Sequence, residues 1–548
     1  MLVGGTKAKT SGLIVAFAMA AVVVGGSAAS AADMGAMVTK APMSAPMSYA
    51  PPPPAACGSA YDFFFTACPL SWYGVTFYGT VDLGGTYQTH GTPFDPNFPT
   101  GASYLLQKPS RSAGWGLAPN GLSQSNVGVK INESIAPGWS FVGQGELAFD
   151  PYSGLLANAP VALQNAIGVP LNQQALPVDS SRWGWLASQV YAGVSSPIYG
   201  TLTFGRQNAL LLDGVNAYDP MGGSYAFSPI GFSGLGCGAG DTEECRWTTA
   251  IKYRVNIGDA RFAVMGQPAT GSNGGYNAYN PNNGAVEGDL GGDIRHLGPG
   301  VLSLDAIGSY IVDAVNIGPS GGATNVGGVP SAPFPANTFL QATISNQTSF
   351  MALAKYSFGT AADQPMVVKG LAPPPVVPLT LYAGYEWIQF AAPSDPQTSF
   401  RDDGFLFNLA GNGGTGNSGN GTGIVNNAFS TGAGNLGCGT GTGCSDKIFQ
   451  VMWVGAKYGI TNNLDFITAY YHYIQSQFVN GAGICANPTA HSQCAGTEDM
   501  ASVVLDWRFL PKWDAYIGTM FSQVNGGLSN GYLSRNNLAT TTGVRFRF

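Results

Sequence analysis

Two glycine-rich motifs and the histidines are the residues of this chain whose types and spacing could support enzyme chemistry. Gly318–Gly322 matches the G-x-S-x-G spacing of a serine nucleophile held between a strand and a helix. Gly411–Gly416 matches the dinucleotide-binding pattern that opens the helix of a βαβ unit. Neither motif has those flanking elements in the sequence, and no histidine lies beside a plausible serine nucleophile. The histidines are His90, His296, His472 and His491. We therefore expect no enzymatic activity and no cofactor.

The cysteines could form disulfides or bind a metal ion. They fall into pairs that are close in sequence: Cys57 and Cys68, Cys237 and Cys245, Cys438 and Cys444, and Cys485 and Cys494. No Cys-x2-Cys spacing occurs, and the one histidine between paired cysteines is His491, so the pattern argues against a metal site. Because each pair is far from the others, we expect local disulfides in an oxidising compartment.

The N-terminus indicates export. Lys7 and Lys9 precede an apolar stretch over residues 13–24, and Ala29–Ala31 offers an A-x-A cleavage site, so residues 1–31 read as a signal peptide. Residues 32–70 form an Ala/Pro-rich segment that we expect in the periplasm, as a tether or as a segment that enters the following domain from below. Without the two lysines the net charge is about −9, which disfavours nucleic-acid binding.

Composition excludes two other classes of protein. Only 10% of the residues are charged and 78 are glycine, which is unlike a soluble domain. Beyond residue 31, however, no apolar run approaches the roughly 20 residues that a membrane-spanning helix needs. The chain also carries 10 Trp, 24 Tyr and 29 Phe, far more apolar surface than a disordered chain contains. A large exported β-protein remains.

Apolar and polar residues alternate through much of the chain after residue 71, and this period of two predicts strands with one apolar and one polar face. We predict sixteen strands and no helices in the mature chain. The predicted strands span residues 73–88, 124–134, 138–150, 182–195, 200–207, 246–257, 260–268, 286–297, 301–314, 347–358, 378–390, 446–459, 462–478, 498–509, 512–525 and 540–548.

The connections between the predicted strands alternate between short and long, except that 359–377 departs from the rule. The short ones are Ala136–Gly138, Ser196–Tyr199, Gly258–Asp259, Gly298–Gly300, Thr461–Asn463 and Leu510–Lys512. Short turns at one end, long loops at the other and an even strand count are typical of an outer-membrane barrel. The sequence therefore predicts an all-β protein, a 16-stranded antiparallel transmembrane β-barrel with short periplasmic turns and long extracellular loops. A barrel of this size leaves an aqueous channel.

Four segments carry a resemblance to a known family: WYGVTFYGTVD at Trp72–Asp82, GTLTFGRQ at Gly200–Gln207, LTLYAGYE at Leu379–Glu386 and GVRFRF at Gly543–Phe548. Together they resemble the Gram-negative general porins, over residues 71–548. The resemblance implies homotrimers in the outer membrane that let small hydrophilic solutes and ions diffuse passively. It also implies a third extracellular loop folded into the lumen, and a terminal aromatic residue, here Phe548, that the barrel-assembly machinery recognises.

The resemblance places a pore constriction between acidic residues of the third long loop, residues 208–245, and basic residues of the barrel wall. The acidic candidates are Asp213, Asp219, Asp241, Glu243 and Glu244, and the basic candidates are Lys130, Arg206, Lys252 and Arg254. Parity places Lys130, Lys252 and Arg254 on the polar face, and Arg206 occupies the position where the family has a basic residue just before the loop. The pair Cys237 and Cys245 within this loop departs from the family pattern.

Three other functions remain open on the sequence. They are a substrate-selective channel, an adhesin or structural anchor with disulfide-closed loops, and a barrel-borne lipase, which the missing Ser/His constellation disfavours. Ion selectivity also stays open. The net charge weakly favours cations, but the local charge in a lumen outweighs it.

Overall fold

The structure is a computed structural model of the chain. It describes residues 56–91, 94, 103–106, 110, 112–154, 188–230, 246–267, 284–314, 345–358, 379–391, 446–477, 494–530 and 532–548.

In these described residues, eighteen strands form one antiparallel sheet. In chain order from β1 to β18 they are Leu70–Trp72, Val75–Gly91, Ser112–Leu117, Asn126–Ala136, Trp139–Ala148, Gln189–Ser196, Gly200–Asn208, Arg246–Ile257, Ala260–Gln267, Gly284–Leu297, Gly300–Ala314, Ser345–Phe358, Leu379–Ala391, Lys447–Thr461, Leu464–Gln475, Gly496–Leu510, Trp513–Gly526 and Asn536–Arg547.

Sixteen of these strands close a barrel. Each strand from β4 to β18 pairs with the next, β18 pairs with β2, and β2 pairs directly with β4. Strand β3 pairs with the C-terminal half of β2. Strand β1 forms a short hairpin with the N-terminal residues of β2. The prediction of a sixteen-stranded antiparallel barrel is confirmed, and closure leaves none of these strands with an unpaired edge.

Alternation along each strand separates an inner from an outer face. In β15, Asp465, Tyr471 and Tyr473 are buried, whereas Phe466 and Tyr470 are exposed. The outer face presents large apolar side chains to the membrane, among them Phe204, Ile251, Leu290, Val503 and Ile517. No helix in the described part of the chain is long and apolar enough to cross a membrane.

The prediction that the mature chain contains no helices is wrong. Helix α1 spans Ala60–Phe65, and helix α2 spans Leu210–Tyr218. A 3-10 helix spans Gly527–Ser529. Period-two counting could not find α1 and α2, because both are short and are held by contacts with the barrel rather than by a long pattern of their own.

Helix α1 lies in a disulfide-closed segment outside the barrel, at the end with the short turns. Cys57 and Cys68 form the predicted bridge around it. The Phe63 ring packs edge-on against Phe546 and Phe548, at centroid distances of 5.5 and 5.2 Å. Phe546 is on the outer face, because it is next in sequence to the inward-facing Arg545. The described part of the N-terminal segment is therefore docked on the barrel exterior.

Side chains of the barrel donate hydrogen bonds to the free backbone carbonyls at the C-terminal end of α1. Lys512 Nζ donates to the Phe63 carbonyl at 3.0 Å, and Trp513 Nε1 donates to the Phe64 carbonyl at 2.9 Å. These carbonyls have no partner within so short a helix. Cys494 is also disulfide-bonded. Its predicted partner Cys485, and the pairs Cys237/Cys245 and Cys438/Cys444, lie outside the described residues.

Candidate pore constriction

Helix α2 lies inside the barrel, against the inner wall. Its N-terminus is held by Glu287 of β10, whose Oε2 accepts a hydrogen bond from the Leu210 N–H at 2.5 Å. Gly214 allows the helix to approach the wall, since a Cβ there would lie 2.6 Å from Ile307 Cδ1 and 2.8 Å from Leu353 Cδ1. A carboxylate at a helix N-terminus also stabilises the helix dipole.

Asp219 fixes the other end of the helix. This side chain is buried, and its carboxylate accepts hydrogen bonds from Tyr471 Oη at 2.6 Å and from the N–H groups of Gly223 at 2.7 Å and Met221 at 3.2 Å. Burial raises the pKa of the Asp219 carboxyl, while the Tyr471 hydroxyl and the Gly223 N–H act in the opposite direction. Asp219 thus anchors the loop to β15 and does not face the open lumen.

The segment after α2 continues along the inner wall. The Phe227 carbonyl accepts a hydrogen bond from Ser502 Oγ at 2.7 Å, and the Ala226 N–H donates to the Gly121 carbonyl at 3.0 Å. Residues 210–230 therefore run along the inner wall from β10 toward the region where β18 meets β2. Within the described part of the chain, they fill one side of the lumen and leave the other side open.

The open side contains a cavity of about 530 Å³ between α2 and the wall built by β4 to β8. Its lining is mainly polar. It includes Lys130, Asn132, Gln144, Gln189, Tyr191, Ser195, Thr201, Thr203, Gln207, Asn208, Asp213, Lys252 and Arg254.

Acidic and basic groups meet across this cavity. Asp213 of α2 forms ion pairs with Lys252, at 2.8 Å, and with Arg254. On the neighbouring wall, Lys130 Nζ lies 4.6 Å from the centre of the Tyr78 ring, and Tyr78 Oη donates to Glu146 at 2.8 Å. Fixed charges in a narrow lumen with low-dielectric walls act strongly on permeating ions.

Of the predicted constriction residues, the structure brings Asp213, Lys130, Lys252 and Arg254 together around the cavity. Arg206 is on the opposite face: it pairs with Val190 on the outer face, which also carries Phe204, and its Nη1 donates to the Arg246 carbonyl. We therefore do not include it in the constriction. Asp241, Glu243 and Glu244 lie outside the described residues.

Sequence reasoning missed a second charged cluster on the inner face, around β9 to β11. Arg261 forms ion pairs with Asp293 at 2.6 Å and Asp305 at 3.2 Å, and its Nη2 donates to Tyr218 Oη at 3.1 Å. By parity with Ser303, Asp305 lies on the polar face of its strand. Parity gives the face of the sheet on which a residue lies but not its position along the barrel axis. The contact between Arg261 and Tyr218 was therefore not predictable.

Comparison with known proteins identifies the protein family. A sequence model of the family described as Gram-negative porin matches residues 16–525. The chain belongs to the Gram-negative porins. It is an integral outer-membrane protein that forms a channel for passive diffusion of solutes.

Solved structures resemble the chain at low sequence identity. They include the anion-selective porin from Comamonas acidovorans, with 14% identity, 86% of this chain and 99% of that chain covered, and a TM-score of 0.48. OmpT of Vibrio cholerae has 11% identity, coverage of 88% and 99%, and a TM-score of 0.46. OmpF of Salmonella typhi has 12% identity, coverage of 86% and 97%, and a TM-score of 0.42. A search of curated proteins found no match.

Proposed function

We propose that solutes cross the barrel through the cavity between α2 and the wall of β4 to β8, and that Asp213, Lys130, Lys252 and Arg254 form its constriction. The observation that supports this proposal best is the placement of α2. The helix fills one side of the lumen and leaves a polar passage, with charges of both signs, on the other. Small hydrophilic solutes fit such a passage, because its lining offers hydrogen bonds to replace those of water.

We also propose that the chain assembles as a homotrimer and that the barrel-assembly machinery recognises Phe548. These partners are typical of the family. The substrate-selective channel, the adhesin and the barrel-borne lipase find no support in the residues that the structure describes.

Single-channel recording in planar bilayers tests the proposed function. The purified protein should insert with stepwise current increases, and the conductance should scale roughly linearly with the conductivity of the bath, as expected for a water-filled passage. Absence of stepwise conductance from protein whose barrel is intact by circular dichroism would contradict the proposal and favour an adhesin.

A further inference from the structure

The inner face near the short turns carries two clusters in which one carboxylate is bound by two cationic side chains. In the first, Asp465 of β15 forms ion pairs with Lys457 of β14, at 2.9 Å, and with Arg508 of β16. A second contact joins Arg508 Nη2 to Asp465 Oδ1 at 3.1 Å. The cluster thus holds two positive charges and one negative charge.

The second cluster is built in the same way at the last two strands. Asp514 of β17 accepts hydrogen bonds from Arg545 Nε at 3.0 Å and Nη2 at 2.8 Å, and from Arg547 Nη2 at 2.6 Å. This bidentate geometry is the strongest form of arginine–carboxylate pairing. The cluster again carries a net charge of about +1, because an arginine stays protonated in proteins.

Both clusters face the lumen. Gly455 shares a strand face with Lys457 and lies against residues 210–230, the lumenal loop, since a Cβ there would be 2.4 Å from Pro220 Cγ. Arg545 Nη1 donates to Ser123 Oγ at 3.2 Å, beside the segment whose Gly121 carbonyl accepts from the lumenal loop.

In each cluster at least one cation lies at the water-accessible surface and the carboxylate lies beneath it; Arg545, at 13% exposure, is largely buried. Side-chain exposure is 39% for Lys457 and 32% for Arg508, against 6% for Asp465. It is 46% for Arg547, against 0% for Asp514. An ion in the lumen therefore approaches the cations closely, whereas the carboxylates are farther away and already paired.

Asp213 repeats the two-to-one ratio at the constriction, where Arg254 is 45% exposed, Asp213 itself 27% and Lys252 8%. Among the described ion pairs, the counterweight is the cluster of Arg261 and Arg295, whose partners Asp293, Asp305 and Asp259 give it an excess of one negative charge. Three clusters with one excess positive charge against one with one excess negative charge leave the described ion pairs of the inner face positive, although the whole chain has a formal net charge of −7. Other inward carboxylates, such as Glu386 and Glu498, are buried.

We propose that the lumen prefers small anions, and that exposed cations over buried carboxylates set this preference. The inference rests on the proposed function, because it concerns the ions that cross the same passage. The potential in a narrow lumen follows the nearest accessible charges rather than the net charge of the chain. The preferred solutes are then small anions such as chloride, carboxylates or phosphate.

The reversal potential in a KCl gradient tests the proposal. Wild-type channels should show a chloride-to-potassium permeability ratio above one. The substitutions Lys457→Gln and Arg547→Gln should each lower that ratio, by roughly a factor of two, because each removes one accessible cation and leaves the buried carboxylate paired with its other partner. Arg535→Gln, which removes an exposed cation from the long connection between β17 and β18, is the control and should leave the ratio unchanged.

Potassium selectivity of the wild-type channel would overturn the proposal, and so would anion selectivity that survives the Lys457→Gln and Arg547→Gln double variant unchanged. Both outcomes require conducting channels. They are therefore distinct from a failure of the proposed function, which would show as absence of stepwise conductance.

Discussion

Replacement of Asp219 by alanine should release the lumenal loop from the barrel wall. The substitution leaves the Tyr471 hydroxyl and the N–H groups of Gly223 and Met221 without their acceptor in a buried environment. At about 1 kcal/mol or more for each group, docking of the loop should weaken by about 3 kcal/mol. The barrel should remain closed, because none of its strand pairs depends on this carboxylate. Single-channel recording should show a higher mean conductance and several current levels.

Tyr471→Phe is the graded control for this prediction. It removes one of the three hydrogen bonds and keeps the ring in place, so docking should weaken by about 1 kcal/mol and the extra current levels should be rarer. If Asp219→Ala channels have the conductance and the current noise of the wild type, Asp219 does not anchor the loop.

Loss of the Cys57–Cys68 bridge should detach helix α1 from the barrel. The bridge joins residues that are 11 positions apart, and closing a loop of this size stabilises it by about 3 kcal/mol, or roughly a hundredfold in the docking equilibrium. Six residues are too few to form a helix alone in water. In the Cys57→Ser/Cys68→Ser variant, chymotrypsin should therefore cleave rapidly at Tyr61 and at residues 63–65, while wild-type protein should resist cleavage until a reductant is added.

The reductant itself supplies the control, since it should not accelerate cleavage of the double-serine variant any further. Hydrogen exchange in β16 to β18 should stay slow in both proteins, because closure of the barrel between β18 and β2 does not include α1. Equal rates of cleavage in the oxidised wild type and the variant would show that the ring contacts with Phe546 and Phe548 suffice to hold α1.

The sequence predicted the barrel strands well because each strand has two faces in different solvents. Membrane on one side and lumen on the other impose a strict period of two, and short turns such as those at 258–259 and 511–512 limit the strand ends to within a few residues. Arg206 shows that the period of two can be more reliable than the resemblance to a family. Resemblance to the family placed it in the constriction, but its position between the inward-facing Thr203 and Gln207 and opposite Val190 puts it on the outer face.

The lumenal loop could not be predicted in the same way. Its position depends on contacts between residues far apart in sequence, such as Asp219 with Tyr471 and Phe227 with Ser502. Apolar residues on the inner face, among them Ile307 and Leu353, break the expected polar lining where α2 covers them. Such inward apolar positions are the one sequence signal that could have indicated where the loop docks.

A pair of tryptophan substitutions on one strand tests most directly the claim that solutes pass through the cavity beside α2. Asn132 of β4 lines the cavity, while Ile135 of the same strand is 58% exposed on the outer face. Asn132→Trp should lower the single-channel conductance by roughly a third, because the indole occupies part of the passage, whereas Ile135→Trp should leave it unchanged. Equal conductance in the two variants would contradict the account and place the permeation path elsewhere.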